Sequence, residues 1–420
     1  YLAVNRYKLD DFAPYIFKTT DYGASWESVT QGIPANHYVR VVREDPARRG
    51  LLYAGGEFGV YVSFDDGRHW GSLQLNLPVV PVRDMVVKEN DLVLATHGRS
   101  FWILDDLTPL YQLDDEVARA AVHLYQPRPA YRMRGASFRG SVPGVGANPP
   151  NGVVVRYYLQ EKPEDEVTLT FLEADGSVIR EYSSKAEEDD EEGEVKAEAG
   201  MNSFVWDLRY PDASRFPGLI MWAGSLDGPR AVPGSYQVRL TVGERSLTQS
   251  FELLKDSRVS ATQADLQEQF DFLIRIRDRV SEANDAVGRI RDIRKQIDNA
   301  VERAEGESYA EEIAEKAKEI KTTLGEIENE IYQTKNRSRQ DPLNYPIKLN
   351  NKIAALTGVV ASADAKPTRQ SYEVFEELSA QLQVQLDRLA QVLETDVPAF
   401  NELVSRHQVP AIVVREPEDG

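Results

Sequence analysis

The hydrophobic pattern changes its period once along the chain, near residue 262. Before that point apolar and polar residues alternate in short runs, the two-residue period of a half-buried strand. Tyr1-Leu2-Ala3-Val4, Ile16-Phe17-Lys18 and Val60-Tyr61-Val62 are such runs. So are Val153 to Leu159, Val167 to Leu172, Ser177 to Tyr182 and Ser235 to Val242, with Asp175-Gly176 at the tip of a hairpin. After it, apolar residues recur in steps of three and four. Leu266, Phe270, Leu273, Ile276, Val280, Val287 and Ile290 predict one long amphipathic helix, opened by a Thr262–Asp265 capping box. Ile313 to Ile331 predict a second, and Phe375 to Leu393 a third with Thr368 as N-cap. Asp341-Pro342-Leu343-Asn344-Tyr345-Pro346 breaks the chain between them, so the helices are expected to fold back into a three-helix bundle.

Within the strand-rich half one turn is written twice. Thr19-Thr20-Asp21-Tyr22-Gly23-Ala24-Ser25-Trp26 recurs as Ser63-Phe64-Asp65-Asp66-Gly67-Arg68-His69-Trp70, 44 residues on. The hydroxyls (Thr19, Ser63) and carboxylates (Asp21, Asp65) can bind turn amides. Gly23 and Gly67 permit positive φ, and Trp26 and Trp70 can pack the turn onto the next strand. Leu52 to Val62 also aligns without gaps onto Leu92 to Trp102 at an offset of 40, and Asp65-Asp66 falls on Asp105-Asp106, a decayed third copy without the Gly and Trp. A unit of strands returning at this period predicts a β-propeller. A closed propeller takes about four to eight four-stranded blades. Residues 1–112 supply only its last blades, so the chain is expected to be the C-terminal portion of a longer protein, its remaining blades lying upstream or on a separate chain.

The turns are read as structural hinges. Propeller ligands are expected on the opposite rim, where Gly55 to Gly59, Thr96 to Arg99 and Pro34 to Tyr38 emerge. Glu57, His97, Arg99, His37 and Tyr38 are therefore the ligand-binding candidates. The remaining divisions are a connector at 113–151, an immunoglobulin-like β-sandwich at 152–256 suggested by about seven short strands, the helical bundle at 257–408 and a tail at 409–420. The fold class expected is thus multidomain, mainly β plus α.

Composition narrows the chemistry. The net charge of −19 over 420 residues argues against a nucleic-acid backbone as partner. There is no cysteine, so neither disulfides nor thiolate chemistry is available. No uninterrupted apolar stretch is long enough to span a membrane. Lys185 to Glu198 carries eight acidic residues in fourteen, but without the Asp-x-Asp-x-Asp-Gly spacing of a calcium loop it reads as a solvated run. No nucleophile elbow, phosphate loop, dinucleotide fingerprint or zinc motif is present. No catalytic residue, metal site or cofactor is assigned.

The two turns resemble the Asp-box, or BNR repeat. Together with Glu44-Asp45-Pro46, Thr96-His97-Gly98-Arg99-Ser100-Phe101-Trp102, Asn202 to Arg209 and Leu343 to Lys352, they resemble bacterial sortilin-like propeller proteins labelled glycosyl hydrolases with BNR repeats. The resemblance implies an exported, periplasmic or extracellular protein that binds a protein, peptide or glycan. It also carries an alternative, an exo-acting, sialidase-like glycoside hydrolase whose catalytic groups lie mostly on missing blades. Sortilin's disulfide-rich region has no counterpart in a chain without cysteine.

Overall fold

The computed structural model describes residues 1–133, 146, 148–185 and 193–409. Part of the acidic run, 186–192, and the tail from 410 lie outside them. The chain is a β-rich half followed by a helical half. Three small antiparallel sheets come first. β1 (Leu2–Arg6), β2 (Asp11–Lys18) and β3 (Glu27–Ser28) form one. β4 (Val39–Glu44), β5 (Leu52–Gly56), β6 (Val60–Ser63) and β7 (Gly71–Ser72) form the second, and β8 (Val82–Lys88), β9 (Asp91–Thr96) and β10 (Phe101–Leu104) the third.

The second sheet is packed on both faces. Ile16, Val29, Val42, Leu52, Tyr61 and Trp70 are buried between the first sheet and the second. Val41, Tyr53, Val62, Met85, Leu92 and Leu94 are buried between the second and the third. This is why β5, Leu-Tyr-Ala-Gly-Gly, is buried along its whole length and shows no alternation. Gly55 is required there: a Cβ would lie 2.7 Å from Met85 and from Val82.

The recurrence read from sequence reappears in strand register. Phe17 pairs with Ser28 and Lys18 with Glu27 across β2 and β3. Tyr61 pairs with Ser72 and Val62 with Gly71 across β6 and β7, each partner displaced by the same 44 residues. The bonds within the two turns also correspond. Gly23 N–H donates to Thr19 Oγ1 at 2.9 Å, as Gly67 N–H does to Ser63 Oγ at 2.9 Å. Ser25 N–H donates to Asp21 at 2.9 Å, as His69 N–H does to Asp65 at 2.8 Å. Tyr22 and Gly23 lie at φ of 59° and 91°, Asp66 and Gly67 at 67° and 88°. These bonds hold the Asp21 carboxyl at about 2, well below the ordinary range, through the Ser25 hydroxyl and amide and the Thr19 hydroxyl.

After α1 (Thr108–Gln112), two further sheets face each other. β11 (Val122–Leu124), β13 (Val153–Leu159) and β16 (Gly200–Trp206) make one, in the order β11-β13-β16. β12 (Ala130–Arg132), β14 (Val167–Glu173), β15 (Val178–Ser183), β17 (Gly234–Val242) and β18 (Arg245–Lys255) make the other, in the order β12-β18-β17-β14-β15. Trp206, Tyr157, Phe171 and Phe251 fill the space between them. β11 and β12 fall inside the extended, proline-spaced part of the expected connector. They are edge strands, and β12 joins β18 in parallel.

The helical half contains more than the three expected helices. α2 (Gln263–Ala304), α3 (Ala310–Ile331) and α5 (Arg369–Gln391) are the long ones, joined by α4 (Leu349–Val360) and by α6 (Val397–Arg406), which continues α5 through a single π turn. The Thr262–Asp265 capping box and the Thr368 N-cap are both formed. Between β16 and β17 an irregular segment leaves the sheets and inserts Ala213, Phe216 and Leu226 into the helical core. Among the described residues, no helix is long and apolar enough to cross a membrane.

Candidate functional site

The five candidate side chains fall into two pairs and a separate histidine, His37. The first is gathered by a guanidinium that the sequence did not single out. Arg40, on β4, donates to Glu57 Oε2 at 2.5 Å and to the Tyr38 hydroxyl at 2.9 Å. Its head lies 4.9 Å from the Tyr38 ring and 5.4 Å from that of Tyr7, and the two tyrosine rings stack at 5.2 Å. Arg40 is 9% exposed in its side chain and Glu57 26%. Burial alone would raise the Glu57 carboxyl; the bonds from Arg40 and the Tyr38 hydroxyl outweigh it and hold the group below its usual value. Burial pushes the Tyr38 phenol up. Tyr38, expected to face a ligand, is instead a buried wall of this cluster. His37 is half-buried, its Nδ1 bonded to the Tyr61 hydroxyl and its ring 4.5 Å from Phe58.

His97 and Arg99 form the second group, exposed on the β9–β10 hairpin. The backbone beneath them repeats that beneath Glu57: Glu57 N–H donates to Tyr38 O at 3.2 Å and His97 N–H to Pro81 O at 2.9 Å. Strands alternate direction, so the β5–β6 hairpin lies at the end of its sheet opposite the Ser63–Trp70 turn, and the β9–β10 hairpin at the end of its own sheet opposite Asp106.

Since the Glu57 carboxyl is lowered on folding, its pairing stabilises the protein above the ordinary carboxylate range and is lost as pH falls below it. Glu57→Gln is expected to cost about 1–2 kcal/mol at neutral pH, from leaving Arg40 under-partnered. The gap from wild type should shrink at pH 3.5. Urea titrations at the two pH values check this, and a pH-independent gap would contradict it.

The missed members, Arg40 and Tyr7, carry no local signal, because their partners lie on other strands. The Asp106 carboxylate, aligned with Asp66 of the second turn, shares its positive φ (65° against 67°) but has been redeployed. It pairs with Arg156 of β13 and ties the third sheet to the next. Among the described residues no group of three or more His, Asp or Glu is placed to hold a metal ion.

No known protein family and no curated protein matches the chain. Among solved structures, one similar chain is the extracellular domain of a hybrid two-component system of B. thetaiotaomicron, at 10% identity, with a TM-score of 0.19 over 58% of this chain and 29% of that one. Another is named pT26-6p, at 12% identity, with a TM-score of 0.13 over 61% of this chain and 47% of that one. The chain thus spans less than half the length of either. Both likenesses are too low to bear on fold or function.

Proposed function

We propose that the first three sheets are successive blades of an Asp-box β-propeller, that the two facing sheets are an immunoglobulin-like sandwich, and that the chain is a non-enzymatic binding module of an exported, sortilin-like protein. It takes a protein, peptide or glycan at the rim opposite the Asp21 and Asp65 turns. The observation that carries this is the shared register, backbone conformation and bonding of the two turns, displaced by 44 residues. Such turns serve mechanics, which leaves recognition to the other rim, and there His97 and Arg99 are exposed. Further blades would cover the outer face of the first sheet.

The hydrolase reading is less favoured. A general acid needs a raised carboxyl pKa, and Glu57 is held low and committed to Arg40. The test is a glycan array and a peptide library probed with the whole chain. Saturable binding is expected, weakened at least about tenfold by Arg99→Glu and unchanged by Arg68→Glu on the opposite turn. Turnover of chromogenic glycosides that disappears in Glu57→Gln would replace this reading with the hydrolase.

A further inference from the structure

A second set of charged groups converges at the joint between the sheets and the helices. Arg132 comes from β12, and Arg209 and Arg230 face each other in an isolated antiparallel bridge within the inserted segment. All three line a half-open cavity of about 320 Å³, together with Asp207, Gln269 of α2 and Asp364 just after α4. That volume is at the lower end for small-molecule sites.

The charges are not equally satisfied. Arg132 is paired with Asp364 at 2.5 Å, with side chains 7% and 12% exposed, and donates through Nε to Ala231 O at 3.0 Å. Arg209 lies 3.5 Å from Asp207 and 3.7 Å from Asp227, and donates to Gly228 O at 2.8 Å. Arg230 has no ion pair among the described residues, and its Nη2 is buried without a hydrogen-bond partner. Burial, together with the like charges of Arg132 and Arg209, outweighs the pull of the Asp364 and Asp207 carboxylates and pushes its guanidinium down to about 10. A guanidinium cannot escape such a position by losing its proton at neutral pH. What would satisfy it is an acceptor carrying negative charge, and a planar donor fork suits the paired oxygens of an oxyanion.

We propose that this cavity is a binding site for a small oxyanion (a phosphate, a sulfate or a carboxylate), held chiefly by Arg230 with Arg132 and Arg209 beside it. The bound anion would bridge β12, the inserted segment and the helices, and so stiffen the joint. The site is independent of the propeller rim and of the function proposed for it.

The test uses the whole chain and three probes, inorganic phosphate, sulfate and acetate, each against sodium chloride at matched ionic strength. Thermal unfolding and titration calorimetry read the result. At least one probe is expected to raise the unfolding midpoint saturably above the chloride control. Arg230→Gln should weaken that anion at least about tenfold while unfolding, without anion, at or above the wild-type midpoint, because an unpaired buried charge is gone. Arg230→Lys, which keeps the charge without the fork, should bind with intermediate affinity. Which probe acts distinguishes phosphate, sulfate and carboxylate. The proposal is overturned if all three match chloride in the wild type, or if Arg230→Gln and Arg230→Lys respond as the wild type does.

Discussion

Trp70→Ala should lower the unfolding free energy of the chain by about 3–5 kcal/mol, while the same change at its repeat mate, Trp26→Ala, should cost less than about 1 kcal/mol. The two tryptophans end the same turn, yet only one has a neighbour to close against. Trp70 is 5% exposed. Its indole N–H donates to Val29 O at 2.8 Å and its backbone N–H to Gln31 O at 2.9 Å, both at the end of the preceding sheet. Gly32 makes room for it: at φ of 101° a Cβ would stand 2.2 Å from Trp70 O. Asp66 of the same turn holds Lys18 and the Tyr1 hydroxyl, also from the first sheet. Trp26, by contrast, is 49% exposed and Tyr22 wholly so. Urea denaturation of the two variants decides the matter. Equal losses would mean that the turns do not act as clasps between successive sheets. If a further blade covers the first sheet in the propeller proposed above, the Trp26 penalty should rise toward that of Trp70 once that blade is present.

The turn was legible in sequence because the bonds that shape it lie within eight residues: a hydroxyl and a carboxylate on turn amides, with a glycine and an indole at fixed offsets. The helices were legible for a similar reason, since Leu266 to Ile290 writes its own buried stripe. The strands β3 and β7, two residues each, were not, because so short a run has no period to read. Edge strands β11 and β12, three residues each, were readable only as extended, proline-spaced chain, too short for alternation to show their pairing. The site residues divide along this line too. Glu57 and Tyr38 were visible as hairpin and loop residues, but Arg40, which decides their chemistry, announces nothing until β4 and β5 are paired. The cavity cluster is further from view: Arg132 and Asp364 are 232 residues apart and meet only when the segment between β16 and β17 crosses to the helices. Local chemistry survives in a single sequence. Chemistry assembled by topology does not.

That crossing segment is also where a small polar substitution should do most harm. Asn284 of α2 and Asn350 of α4 are fully buried, and Asn351 nearly so. Asn284 Nδ2 donates to Ser214 O at 2.7 Å, and its Oδ1 accepts from Asn350 Nδ2 at 3.0 Å. Asn351 takes the Trp222 N–H at 2.8 Å and donates to Trp222 O at 2.6 Å. A backbone with no helix or strand of its own is thus satisfied by side chains of two helices, as buried peptide groups must be. This gives a physical role to the asparagines of the Leu343–Lys352 stretch. Asn284→Leu would leave the Ser214 carbonyl and the Asn350 amide without partners, at about 1–3 kcal/mol for each and so about 2–6 kcal/mol in all. Asn299→Leu, on the exposed face of the same helix, should stay within about 0.5 kcal/mol of wild type. Chemical denaturation measures the difference. Limited trypsin digestion then locates it, since loosening the segment should open cleavage after Arg215, already half-exposed. Were Asn284→Leu to melt and digest like Asn299→Leu, the asparagine pair would not be what fastens the sheets' excursion to the helices.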